Sequence, residues 1–184
     1  MSNNTLDYYF ITLKPEYIKA RETGAPTAKR LLEALDAVFP NESLQLRGIW
    51  QDQLGWDTRD AAILLGPGFR GQEEFNSILK GAIELETFKH EELEITARPL
   101  NTTILKPGGI YVHRWLYIDA GQDEKFVKLS LEGWPDLETR YDANVIALCK
   151  AHQTEADKKT NTQRMFFLTR YASHGVWQDT RYTN

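Results

Sequence analysis

The sequence predicts an α+β fold of two tandem ferredoxin-like units, each with the element order strand, helix, strand, strand, helix, strand. Three observations lead to this prediction. Segments with strand and helix periodicity follow one another in that order and then begin the order again. Tyr8 aligns with Tyr111 and Ala61 with Met165, so the two copies lie at nearly the same offset. Aromatic residues make up 11% of the chain and recur at alternate positions of the predicted strands.

The first unit is predicted at residues 7–99. Residues 8–13 are aromatic and β-branched, which is typical of a strand. Apolar residues at helical spacing between 28 and 39 predict an amphipathic helix that ends before Pro40. The remaining elements follow in order: strands at 44–53 and 61–65, a helix at 75–83 and a strand at 93–98.

The second unit is predicted at residues 108–184, after a connector at 100–107 that contains a proline and precedes a glycine pair. Its predicted elements are a strand at 110–118, a helix at 126–141, strands at 144–151 and 164–171, and the start of a helix at 174–180. Compared with the first unit, this copy stops before its last strand. Either a neighbouring chain covers the exposed edge, or the chain is truncated.

Composition and charge exclude several classes of protein. The chain has 184 residues and a net charge of −4, which gives no attraction for nucleic acid or for an anionic membrane surface. The N-terminus lacks a secretory signal, and no apolar segment is long enough to span a bilayer. The single cysteine, Cys149, suits a reducing compartment. We therefore expect a cytoplasmic protein with no nucleic-acid or membrane partner.

Alternation along the strands predicts a ligand-binding surface. Side chains of a strand point to opposite faces in turn, so Tyr111, His113, Trp115 and Tyr117 share one face of their strand. Aromatic side chains with a few polar groups are typical of small-molecule sites. The predicted ligand-binding residues, gathered from three strands, are Tyr111, His113, Trp115, Tyr117, Trp50, Phe167, Thr169 and Tyr171.

His113 is the candidate catalytic residue, because an imidazole can act as acid or base near neutral pH. The alternative is a hydrogen-bonded core histidine, with the aromatic residues filling a plain core. The same alternation puts Arg114 and Arg170 on the helix-facing side, where we expect Glu132 and Glu138 to be their ion-pair partners.

Patterns for cofactors and metals are missing from the sequence. The segment at 66–71 has neither dinucleotide-binding glycine spacing nor the lysine of a phosphate-binding loop. One cysteine and four scattered histidines form no recognisable zinc pattern. We therefore predict neither a cofactor nor a metal site.

Three segments of the second half resemble NIPSNAP-type proteins. They are Gly-Ile-Tyr-Val-His-Arg-Trp at 109–115, Leu-Glu-Gly-Trp-Pro-Asp-Leu-Glu at 131–138, and Phe-Leu-Thr-Arg-Tyr-Ala-Ser at 167–173, followed by Trp177. NIPSNAP-type proteins belong to the dimeric α/β-barrel superfamily. The resemblance implies that the two ferredoxin-like sheets close into a barrel with a ligand cavity and that the chain forms a homodimer. It implies no catalytic residue.

Two functions remain open from the sequence. One is a small-molecule-binding α/β-barrel protein that acts as a cofactor-independent oxygenase, isomerase or lyase on a hydrophobic or aromatic compound. The other is a noncatalytic ligand-binding or stress-associated module of the NIPSNAP type. RNA binding by an aromatic sheet is a third hypothesis, which the net negative charge and the missing glycines of that motif oppose.

Overall fold

The structure of the chain is a computed structural model. It describes residues 4–14, 46–51, 59–67, 72–82, 85–100, 103 and 105–182. The helix predicted at 28–39 lies outside these residues. The chain divides into two compact units, Met1–Glu92 and Leu93–Asn184. The sequence prediction instead put the connector at 100–107. The boundary comes earlier because residues from Leu93 onward pair with a strand of the second unit.

The described residues of the first unit form three complete strands, one helix and the beginning of a fourth strand. These elements are β1 (Thr5–Leu13), β2 (Leu46–Gln51), β3 (Asp60–Gly66), α1 (Gln72–Ala82) and β4 (Leu85–Arg98), of which the last continues into the second unit. Both β1 and β2 pair with β3 in antiparallel register. The resulting order, β2-β3-β1-β4, is compatible with a ferredoxin-like arrangement.

The core of the first unit lies between its sheet and α1. On β1, Tyr9 and Ile11 alternate with residues of the other face and are completely buried. On α1, Phe75 and Leu79 are four residues apart, so they lie on one side of the helix and enter the same core. The Tyr9 and Phe75 rings meet edge to face, 4.7 Å apart. The structure thus confirms a helix in the segment predicted at 75–83.

The second unit continues from β4 with three further strands and three helices in the described part of the chain. They are β5 (Ile110–Asp119), α2 (Asp123–Arg140), β6 (Ala143–Ala151), α3 (Glu155–Lys159), β7 (Thr162–Tyr171) and α4 (His174–Tyr182). The strands are antiparallel, in the order β4-β6-β7-β5. Pro135 lies inside α2, which continues through this residue as one helix.

Helix α2 packs on one face of this sheet through Trp134. The indole is 5% exposed and contacts a cluster that includes Val145, Leu148 and Met165. Its ring stacks on Phe167 with 6.0 Å between centroids. This contact shows that Phe167 is on the face of β7 that is turned toward α2.

The observed architecture confirms the predicted α+β class. In the first unit β3 lies between β1 and β2, and in the second unit β7 lies between β5 and β6, so the strands follow the same order. This order is compatible with a ferredoxin-like fold, while the tandem duplication stays a prediction. None of the described helices is long and apolar enough to cross a membrane.

Candidate functional site

The register between β5 and β7 separates the predicted ligand-binding residues into two groups. His113 lies opposite Leu168, and Trp115 lies opposite Phe166. Because directly opposite residues of an antiparallel pair share a face, the odd-numbered β5 residues share theirs with even-numbered β7 residues.

Phe167, Thr169 and Tyr171 therefore lie on the other face, and their predicted grouping with His113 was wrong. The physical reason is register: a shift of one residue moves every side chain of a strand to the opposite face. Phe167 instead stacks on Trp134 of α2.

Three rings come together on the face opposite α2, and we call His113, Trp115 and Phe166 the aromatic cluster. Phe166 is completely buried, and its ring centroid lies 5.8 Å from that of His113 and 5.2 Å from that of Trp115. His113 and Trp115 are each half-buried. The sequence interpretation assigned Phe166 to the opposite face and so missed it. The three rings form a surface that a flat or apolar group can contact, and the buried Phe166 ring supports the other two rings.

The imidazole of His113 is neutral near physiological pH. Its Nε2 atom is shielded from solvent, and burial lowers the pKa of the ring from 6.5 to about 4. A neutral imidazole has one hydrogen-bond donor and one acceptor, but a group with this pKa is a weak base. The environment therefore favours His113 as a polar contact in an apolar surface over His113 as a proton carrier.

The other predicted residues occupy different surroundings. The Tyr111 hydroxyl donates a hydrogen bond to the backbone oxygen of Lys106 over 2.7 Å, and burial raises the pKa of this phenol. Tyr117 is 68% exposed, near the far end of β5. Trp50 lies in β2 of the first unit, half-buried, with its indole over Gly48, where a Cβ atom would overlap the ring.

Arg114 is held by hydroxyl groups of β7. It donates to Thr169 Oγ1 over 3.2 Å and to the Tyr171 hydroxyl over 3.1 Å. No carboxylate of the described residues lies within ion-pair distance of it, so the expected pairing with α2 was wrong. Arg170 lies on the opposite face, across from Tyr111, and its ion pair is with Asp142 at 3.7 Å.

A buried polar cluster in the first unit escaped the sequence interpretation. Asp7 is 3% exposed, and its Oδ1 atom lies 2.5 Å from Nε2 of Gln72, which donates to it, and 2.7 Å from Nε2 of His90. The His90 ring stacks on Tyr9 at 4.6 Å. Burial, and after it the charge of Asp7, raise the pKa of Tyr9. The signal was the alternation of β1, which places Asp7 on the same face as the buried Tyr9 and Ile11.

Two cavities of the second unit lie apart from the aromatic cluster. One, of about 230 Å³, is lined at the ends of β4 and β7 and the start of β6 by residues that include Arg98, Lys106, Asn144, Val145, Ile146 and Arg170. The other is an open groove of about 610 Å³ beside α2, lined by residues that include Glu94, Asp123, Val127, Leu131 and Lys150. Lys150 bridges Asp123 and Glu94 there, at 3.1 and 3.6 Å.

The remaining candidate groups are the single thiol and possible clusters of metal ligands. Cys149 is completely buried, and burial raises the pKa of its thiol, which disfavours the reactive thiolate. No group of three or more His, Cys, Asp or Glu side chains in the described ranges is placed to hold a metal ion.

Comparison with known proteins identifies the fold. The chain is similar in structure to a protein of Fusobacterium nucleatum named "putative monooxygenase". The TM-score is 0.55 and the sequence identity 11%, over 98% of this chain and 81% of that protein. An unknown protein from Galdieria sulphuraria is 13% identical over 96% of this chain and 86% of its own, with a TM-score of only 0.27. No family model matches the chain, and no curated protein matches it. The likeness to the Fusobacterium protein supports an α+β fold compatible with the ferredoxin-like arrangement, and the NIPSNAP resemblance remains a sequence observation.

Proposed function

We propose that this protein binds an uncharged hydrophobic or aromatic small molecule on the aromatic cluster. The observation that carries the proposal is the contact of His113 and Trp115 with the buried Phe166 ring. In this arrangement a flat ligand stacks on the accessible part of the Trp115 indole, beside the neutral imidazole of His113, which adds no charge to the surface. The function is that of a noncatalytic ligand-binding module.

Native mass spectrometry of the purified protein tests this function directly. We expect a copurifying uncharged compound that the protein releases unaltered after incubation. Trp115→Ala should reduce its occupancy at least tenfold. Tyr182→Ala is the matched control, because Tyr182 is an aromatic residue of α4 outside the aromatic cluster and is 77% exposed. Equal occupancy in the two variants would show that the ligand binds elsewhere.

A second candidate is cofactor-independent monooxygenation of the bound compound. It is favoured by the structural similarity to the Fusobacterium protein, whose name includes the word monooxygenase. In this candidate the compound itself supplies the two electrons and two protons that convert the second oxygen atom of O₂ to water. The compound recovered under air therefore gains one oxygen atom and loses two hydrogen atoms, and this change is absent under nitrogen. His113→Ala should then lower the turnover while the same compound still binds. A compound returned unaltered under air rejects the enzyme and leaves the binding function.

We propose in addition that the chain forms a homodimer. Among the described residues, β5 pairs with β7 alone and stands at the end of the strand order of its unit. An edge strand of ten residues is a template for pairing with a second chain. Light scattering coupled to gel filtration should give twice the 21.2 kDa chain mass. Tyr117→Pro should shift the mass to that of one chain if the dimer forms there, because the backbone N–H of Tyr117 points away from β7 and the substitution removes this donor.

A further inference from the structure

Three cationic side chains line the 230 Å³ cavity of the second unit. Arg98, Lys106 and Arg170 line it together with the polar Asn144. Arg98 is already neutralised, because its guanidinium makes two hydrogen bonds to Glu138, at 2.5 and 3.1 Å. Lys106 is exposed, and no carboxylate in the described part of the chain lies within ion-pair distance of it.

Arg170 is the decisive residue of this cavity. Its side chain is only 10% exposed, and its Nη1 atom is shielded from solvent without a hydrogen-bond partner among the described residues. The nearest carboxylate, Asp142, is 3.7 Å away, beyond hydrogen-bond distance, and is 66% exposed. The Nε atom is satisfied by the backbone oxygen of Gly108 at 3.3 Å. A buried guanidinium nitrogen without an acceptor is costly, and a bound anion would satisfy it.

The backbone beside Arg170 is built to leave room for the guanidinium. Gly109 has a φ of +84°, which favours glycine. A Cβ atom there would overlap the backbone oxygen of Tyr171 and lie 3.3 Å from both Nε and Nη2 of Arg170. Glycine at this position therefore permits both the positive φ of the turn and the position of the Arg170 guanidinium.

We propose that this cavity binds a small organic carboxylate. The three cations face two carboxylates, Glu138 and Asp142, so about one positive charge is left for the ligand, which matches a monoanion. A carboxylate also fits the planar donor geometry of a guanidinium. Val145 and Ile146 supply an apolar part of the lining, suited to a short hydrocarbon chain. This site shares no residue with the aromatic cluster, so the proposal goes beyond the proposed function.

An NMR titration of the full chain with sodium butyrate, in a buffer low in chloride, tests the site. We expect saturable shifts of the amides around the cavity, with a dissociation constant on the order of millimolar. Butyramide, the uncharged analogue of the same shape, should cause no saturable shift. Lys106→Gln should weaken butyrate binding about threefold to tenfold, and Arg170→Gln more than tenfold.

Lys125→Gln is the matched control, since Lys125 is an exposed lysine of α2 that lines neither cavity. It should bind butyrate as tightly as the unaltered chain. Lys106 is exposed, so its variant decides the question even if Arg170→Gln fails to fold. Equal binding of butyrate and butyramide, equal affinity of Lys106→Gln and Lys125→Gln, or saturable binding of inorganic phosphate alone would each overturn the proposal. Trp115→Ala should leave butyrate binding unchanged, which separates this test from that of the aromatic cluster.

Discussion

Arg98 and Glu138 form a two-point ion pair that joins β4 to α2. Nη1 of Arg98 lies 2.5 Å from Oε1 of Glu138, and Nη2 lies 3.1 Å from Oε2. The backbone N–H of Val145 donates to the same carboxylate over 2.8 Å. The Arg98 guanidinium also lies over the Trp134 ring, 4.9 Å from its centroid. The pair therefore fixes the helix, the sheet and the indole between them.

Glu138→Gln should lower the free energy of unfolding by about 1–3 kcal/mol at pH 7, because partly buried charged hydrogen bonds are lost. Burial alone would raise the pKa of Glu138, but hydrogen bonds from Arg98 and Val145 outweigh it and the net pKa is lowered. A depressed carboxyl pKa stabilises the fold above its unfolded value of 4.5, and this contribution is lost as the pH falls through the folded value.

Urea unfolding of both chains at pH 7 and pH 4 measures this effect. The difference should be smaller at pH 4. Glu132→Gln, on an exposed position of the same helix, should change the free energy by less than about 0.5 kcal/mol. A constant difference between the two pH values would contradict the ion-pair explanation.

His113 should make stability depend on pH in a defined window. The unfolded chain takes up a proton near pH 6.5, whereas the folded chain does so only near pH 4. Between these values the unfolded state binds more protons, so stability decreases as the pH falls, by ~3 kcal/mol in all. In His113→Leu this part of the dependence should vanish. Urea unfolding at pH 7, 5.5 and 4 gives the slope, and parallel curves for both chains would reject the neutral buried imidazole.

Trp134 should be the most costly position of α2 to truncate. It is 5% exposed and contacts both the sheet core and Phe167, so Trp134→Ala should destabilise the fold by about 3–5 kcal/mol. Leu129 on the same helix is 57% exposed, and Leu129→Ala should cost less than about 0.5 kcal/mol. Thermal unfolding followed by circular dichroism compares the two. Similar losses in both variants would mean that α2 does not cover the sheet through Trp134.

Cys149 should be unreactive in the folded chain. Its thiol is completely buried on β6, and burial raises the pKa, so little thiolate forms at neutral pH. Ellman's reagent should release no colour in native buffer and one equivalent in urea. Lys125→Cys adds an exposed thiol on α2 and should react at once with one equivalent in native buffer. Rapid reaction of the unaltered native chain would show that Cys149 is accessible.

Much of the local structure could be predicted from residue patterns. The period of 2 in β5 and β7, and the spacing of Phe75 and Leu79 in α1, depend on interactions within single elements. The fourth strand was predicted too short, because the polar residues of β4 before Leu93 do not show the residue pattern that indicates a strand. The polar cluster around Asp7 was missed because His90 and Gln72 are distant in the sequence and meet only through sheet pairing and helix docking.

The sequence by itself determined the α+β class, the order of the described strands and the alternation along each strand. These properties follow from local periodicity and from the preference of apolar side chains for the core. Only the tertiary structure decided which faces of neighbouring strands coincide, because register depends on turns and contacts outside each strand. Thus Phe166, rather than Phe167, joins His113 and Trp115, and Arg98, rather than Arg114, pairs with Glu138. Burial, which also requires the assembled fold, then kept the His113 imidazole neutral.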